Sequence, residues 1–192
     1  NAQINHPELV DAYFNELASN ETEAFTALNT AFAYDGVFIH VPANKTVEHP
    51  VILHFISDAR TENVGSQPRN IIAVDENAHV KFAETFRTLG EYRSLTNIVT
   101  EIHVSESAYV EYYKIQNESE NAFHVGTTQV RMMDKSHFYS ATVTLNGKFV
   151  RNNLNIVIDG EHCEAHMYGL YFLDGTQLVD NHTVADHRKP NS

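Results

Sequence analysis

Ile72-Ala-Val-Asp-Glu-Asn-Ala-His-Val80 recurs in altered form as Ile102-His-Val-Ser-Glu-Ser-Ala-Tyr-Val110, as Val130-Arg-Met-Met-Asp-Lys-Ser-His-Phe138 and, with one extra residue, as Ile156-Val-Ile-Asp-Gly-Glu-His-Cys-Glu-Ala165. The four units begin at steps of 30, 28 and 26 residues. Each reads as an apolar strand, a polar corner, one small residue (Ala78, Ala108, Ser136 or Cys163) and a second strand. A near-regular step of this size with no helix between the strands is what stacked coils of a parallel β-helix produce. It predicts that Val74, Val104, Met132 and Ile158, which share one slot, lie side by side in the interior. A β-sandwich is the alternative arrangement for so many short strands.

Working outward, period-2 alternation marks strands at 37–41, 51–57, 70–76, 78–86, 97–104, 109–116, 126–133 and 137–145. Further strands follow after Lys148, with Asp159-Gly160 and Asp174-Gly175 as turns between them. The chain before Asp35 has a different period. His6-Pro7 opens a helix with Val10, Tyr13, Phe14 and Leu17 on one face and Ser19-Asn20 at its end. A second helix spans about 21–33, with Phe25, Leu28 and Phe32 on one stripe, Asn20 as cap and Glu21 and Glu23 in its first turn. The division is therefore a helical segment at 1–34 and a β-helix at 35–192.

Composition narrows the function. With 13 basic against 25 acidic residues, the net charge of −12 repels a phosphate backbone, and no basic patch overrides it, so nucleic acid is not an expected partner. No apolar run reaches membrane-spanning length, and a single cysteine fits a reducing compartment, so the expected location is the cytoplasm. There is no phosphate-cradling glycine loop, nucleophile elbow or paired-cysteine metal motif.

The densest polar run lies after Gly147. Cys163 fills the small-residue slot and reads as a packed corner residue. His162, Glu164 and His166 fall at i, i+2 and i+4, which on an extended strand puts all three on one face. Two imidazoles and a carboxylate could bind zinc or iron, and the alternative reading of the chain is a metal-dependent enzyme on a cupin-like barrel or β-sandwich. The plainer reading is a solvated strand face, and no tight iron or zinc binding is expected. Asp180-Asn181-His182-Thr183 and His187 are poor strand formers that must find hydrogen bonds if buried, for example in Asn and Thr ladders at β-helix corners.

Gly147-Lys-Phe-Val-Arg151-Asn152, Asp159-Gly160-Glu161, Gly169-Leu-Tyr171, and Asp180-Asn-His-Thr183 followed by His187 and Pro190 together resemble the SufB/SufD family of iron-sulfur cluster assembly proteins, and the Asp-Asn-His-Thr element resembles the SufD branch. Upstream echoes are Asp35-Gly36, Val41-Pro42, Pro50-Val-Ile52, Arg69-Asn-Ile-Ile72 and Asn97-Ile-Val99.

The resemblance implies a right-handed parallel β-helix and a scaffold subunit, not an enzyme. Its partners would be a SufB-like subunit and a SufC-like ATPase. An iron-sulfur cluster would be present only transiently in the assembled complex, with no cofactor in the isolated chain. It also implies later coils and an ATPase-docking region with no counterpart among these 192 residues. A chain ending on an open coil is expected to self-associate, as a homodimer.

Overall fold

The computed structural model describes residues 2–18, 21 and 23–192. Three short helices, α1 (Ala2–Asn5), α2 (Pro7–Tyr13) and α3 (Ala24–Phe32), precede β1 (Phe38–Val41), β2 (Val51–Asp58), β3 (Val64–Ser66) and β4 (Arg69–Val74). The chain continues through β5 (His79–Leu89), β6 (Ser94–Val104), β7 (Tyr109–Asn117), β8 (Ala122–Met132), β9 (His137–Asn146), β10 (Phe149–Ile158), β11 (Glu164–Tyr171) and β12 (Leu178–His187).

The strands alternate between two sheets. One runs β1-β4-β6-β8-β10-β12 with β3 beside β6, and the other runs β2-β5-β7-β9-β11. Every pairing between named strands is parallel and joins a strand to its counterpart in the next coil. That is a parallel β-helix of five two-sheet coils, with β12 beginning a sixth. Val74, Val104, Met132 and Ile158 are mutual register partners in that order, each 4% exposed or less. The repeat alignment and the interior column are the same object.

A tight corner separates the two sheets in every coil. Asn44, Asn77, Ser107, Lys135 and His162 occupy it with φ between 55° and 62°. Side chains other than glycine pay on the order of 1 kcal/mol for this left-handed backbone. The turn is held in place by its neighbours: Asn44 N donates to Glu76 O, Asn77 N to Glu106 O, Ser107 N to Asp134 O and Lys135 N to Glu161 O, at 2.8–3.1 Å. The next residue turns inward, where Ala78, Ala108 and Ser136 are fully buried and only a small side chain fits. The extra residue of the fourth unit is accommodated at Gly160, where a Cβ would lie 2.1 Å from Asp134 N.

The helical segment departs from its sequence reading. The first helix stops at Tyr13, so Phe14 and Leu17 are not on a helical face. Phe14 is extended and carries the Arg69 guanidinium 5.2 Å from its ring centroid. The physical cause is Glu101 of β6, fully buried on the outer face of its sheet. Its carboxylate accepts from the backbone N–H groups of Asn15, Leu17 and Ala18 at 2.7–3.0 Å and from Arg69 at 2.6 Å. Charge-assisted bonds to three amides outweigh one more helical turn. The second helix starts at Ala24, capped by Glu23, whose carboxylate accepts from Thr26 N; Glu21 and Glu23 precede its first turn. The Ser19-Asn20 stop and the Asn20 cap fall outside the described residues. Asn29 of α3 donates to Pro68 O and Asn97 O, and the Asn97 side chain returns a bond to Phe25 O. Residues 13–18 and 23–32 thus form a strap over the outer face of the first coils.

Candidate functional site

The interior is divided lengthwise. Near the tight corner it is apolar: Ile72, Val80, Phe82, Ile102, Val110, Val130, Phe138 and Ile156 form one buried cluster with the Val74 column. Toward the longer turns, the same inward alternation delivers Asn70, Thr100 and Thr128 from one sheet and Glu84, Lys114, Gln116 and Thr144 from the other, all buried. Parallel stacking then sets like positions about 4.8 Å apart, so polar residues in one inward phase must meet.

Glu84 is the hub at one end. Its carboxylate accepts from Asn70 Nδ2 at 2.9 Å, Thr100 Oγ1 at 2.8 Å and the Tyr112 hydroxyl at 2.6 Å, with Lys114 Nζ at 4.0 Å. Burial, then the Glu84 charge, holds the Tyr112 phenol well above its ordinary value. Burial pushes the Lys114 ammonium down, against the opposing pull of Glu84 and Glu118. Lys114 is therefore readier to release a proton than a surface lysine.

A second pair lies a coil away. His124 Nδ1 is 2.8 Å from Glu118 Oε2, both groups buried, so Nδ1 carries the proton and donates it to the carboxylate. Gln116 and Asn152 exchange amide bonds of 3.1 and 3.0 Å, Gln116 also accepts from Thr144 at 2.7 Å, and Asn152 Nδ2 reaches Asn181 Oδ1 at 3.1 Å. The three groups make a polar core with one buried ion pair, Lys114–Glu84, and one buried histidine–carboxylate hydrogen bond, His124–Glu118. Such a core can hold charge and relay protons away from bulk water.

The residues singled out from the sequence lie at the far end of this core. Arg151 and Asp180 are register partners on the outer face and pair at 2.6 Å, while Arg151 Nε donates to Asn153 Oδ1. Asn152 and Asn181 are the inward continuation of the amide chain. Thr183 and His187 continue the columns of Leu154 and Ile158, but lie exposed because nothing among the described residues stacks on β12. His187 Nδ1 meets Ser192 O at 2.9 Å, and His182 is exposed. The ladder is on strands, not at corners as the sequence suggested.

The one-face trio is corrected. His162 holds the left-handed corner position and β11 begins only at Glu164. Glu164 Oε2 instead lies 3.4 Å from His137 Nδ1 of the neighbouring strand and 3.9 Å from His166 Nε2. Among the described residues no group of three or more His, Cys, Asp or Glu side chains is placed to hold a metal ion. Cys163 sits half-buried in its corner slot, its Sγ 3.1 Å from Met133 O.

Residues 55–192 match the family description SUF system FeS cluster assembly, SufBD core domain, and residues 1–53 match the SufBD protein N-terminal region. This chain belongs to the SufBD family. It is 29% identical over 177 residues to an iron-sulfur cluster assembly SufBD family protein of Synechocystis, covering 88% of this chain and 39% of the relative. A SufBD family protein of Staphylococcus saprophyticus is 28% identical over 186 residues, covering 96% of this chain and 40% of the relative. One of Staphylococcus aureus strain USA300 is 29% identical over 187 residues, with the same coverage. The chain thus spans about two fifths of the length of these curated SufBD relatives.

Sequence reasoning missed the buried ionisable residues of this SufBD core: Glu84, Lys114, Glu118 and His124. A signal existed. Val80, Phe82, Glu84 and Phe86 alternate with outward residues, so Glu84 stands in the apolar phase of its strand, as Lys114 does after Val110 and Tyr112.

Proposed function

We propose that this chain is a scaffold portion of a SufBCD-type complex and not an enzyme in its own right, with the nascent iron-sulfur cluster as the cargo of the assembled complex. The observation that carries this reading is the family match, residues 55–192 to the SufBD core domain and residues 1–53 to the SufBD N-terminal region. SufBD membership makes cluster assembly the process, and the matched relatives are iron-sulfur cluster assembly SufBD family proteins. The Asp180-Asn-His-Thr183 element, with His187 and Pro190, supports the SufD branch. The partners on this reading are a SufB-like subunit and, through sequence beyond these residues, a SufC-like ATPase, in the cytoplasm.

Co-purification tests the reading. The full-length protein should elute with SufB-like and SufC-like subunits at fixed stoichiometry, and cluster transfer by the complex should fall when it is omitted. A full-length protein that purifies alone, bears its own tightly bound metal and turns over a small substrate would overturn it.

A further inference from the structure

The apolar stripe of α3 faces away from the cylinder. The helix buries Thr26 and Asn29, while Phe25, Leu28 and Phe32 are 38%, 37% and 53% exposed. An amphipathic helix ordinarily turns such a stripe toward the core. Here hydrogen bonds set the rotation instead: Asn29 Nδ2 donates to Pro68 O and Asn97 O, and Asn97 Nδ2 donates to Phe25 O. The polar face is fastened to the sheet, so the apolar one is presented outward. Phe25, Leu28 and Phe32 follow one another at steps of three and four residues, the seam along which a second helix packs.

A groove opens at each end of the stripe. The larger, about 800 Å³, is walled by Leu28, Phe32, Phe55 and Pro68, with Asp35 beside them. The smaller, about 450 Å³, lies among Phe25, Leu95, Phe123 and Phe149, with Arg93 beside them. Leu95, Phe123 and Phe149 are register partners on successive coils, so that wall is a continuous apolar column. Asp35 and Arg93 are exposed, and among the described residues neither enters an ion pair; Asp35 only accepts from the adjoining Gly36 N. The Glu23 carboxylate near Phe25 is engaged with Thr26 N as the helix cap.

We propose that this surface is a self-association face, on which a second copy of the chain seats its own α3 antiparallel about a two-fold axis through Leu28. The surface is complementary to itself. Along the helix axis Phe25 lies about 4.5 Å to one side of Leu28 and Phe32 about 6 Å to the other, so each Phe25 comes opposite the second copy's Phe32. The same rotation lays the Arg93 end of one copy over the Asp35 end of the other, which makes two opposite-charge contacts at once. An isologous interface needs such a patch, with each feature matched by another at the same distance from the axis. The net charge of −12 on each copy opposes association and the patch is small, so the dimer is weak and sensitive to dilution. Neither β11 nor β12 takes part.

Sedimentation of the full-length protein over a dilution series is the test, with Leu28→Asp, Arg93→Glu and Asp35→Lys beside the wild type. The wild type should associate as concentration rises. Each variant should do so about tenfold less tightly, since Leu28→Asp buries an unpaired charge and the other two set like charges against each other. Mixing Arg93→Glu with Asp35→Lys restores opposite charges at both contacts, so the mixture should regain the wild-type association. A wild type that stays monomeric, a Leu28→Asp protein that associates undiminished, or a mixture no tighter than its components overturns the proposal. All three positions are exposed, so the variants should keep the wild-type unfolding midpoint; if Leu28→Asp does not fold, the charge-swapped mixture still decides. Co-purification with SufB-like and SufC-like subunits is a separate measurement, so a failure here leaves the scaffold reading standing.

Discussion

The two halves of the interior follow the same alternation on the same strands, yet they are built from opposite chemistry. Near the tight corner, Phe82, Ile102, Phe138 and Met132 gain stability by leaving water, a non-directional effect that tolerates repacking. Near the longer turns, Glu84, Tyr112 and Lys114 are stable only while every partner is present, because an unpaired charge in a dry interior costs several kcal/mol. One half sets how much stability the cylinder has, and the other sets where its charges are.

Phe138→Ala should be the largest single loss, about 3–5 kcal/mol in urea unfolding, from lost transfer energy plus a cavity. A cost near 1 kcal/mol would mean that the apolar half is not close-packed.

Glu84→Leu should cost about 3 kcal/mol because it strands Lys114 and leaves Asn70, Thr100 and Tyr112 without their acceptor. Combined with Lys114→Met, most of that loss should return, since removing both charges avoids the unpaired one. Additive losses in the double-mutant cycle would erase the contrast between the halves.

The third prediction uses pH. The folded-state pKa of Lys114 is depressed below the ordinary 10.5, so between the two values the unfolded chain binds more protons and unfolding free energy rises with pH. The rise should level off only above pH 10.5 and be absent in Lys114→Met. Tyr112 acts oppositely, losing stability as pH climbs beyond 10, so the difference between the two proteins is the quantity to plot.

Cys163→Ala should show the smallest effect, about 1 kcal/mol or less, with cluster assembly by the intact complex unchanged. Loss of assembly with folding intact would give the corner thiol a chemical role.

What could be read from the sequence follows the same division. The column from Val74 to Ile158 was legible because burial and period agree there, and the small-residue slot marked the corner. The polar half was not, because a lone Glu84 or Lys114 between apolar residues carries no sign of the partner a coil away that neutralises it. His162 was placed on a strand face because its left-handed backbone, imposed by the stack, leaves no local signature. The Tyr13 helix end escaped detection because the group that breaks the helix, Glu101, is 83 to 86 residues downstream of the amides it captures.

That last separation has a consequence in time. Each coil pairs with one begun about 30 residues earlier, so closing it costs roughly 3 kcal/mol of loop entropy plus a constant, whatever the length of the cylinder. Coils can therefore be added one after another as the chain leaves the ribosome. The strap obeys a different clock: its amides wait for a carboxylate synthesised more than 80 residues later. Residues 15–18 are made before the opening coils yet reach their place after them, and until β6 is laid down the outer face of those coils stands bare to whatever assists or interrupts the nascent chain.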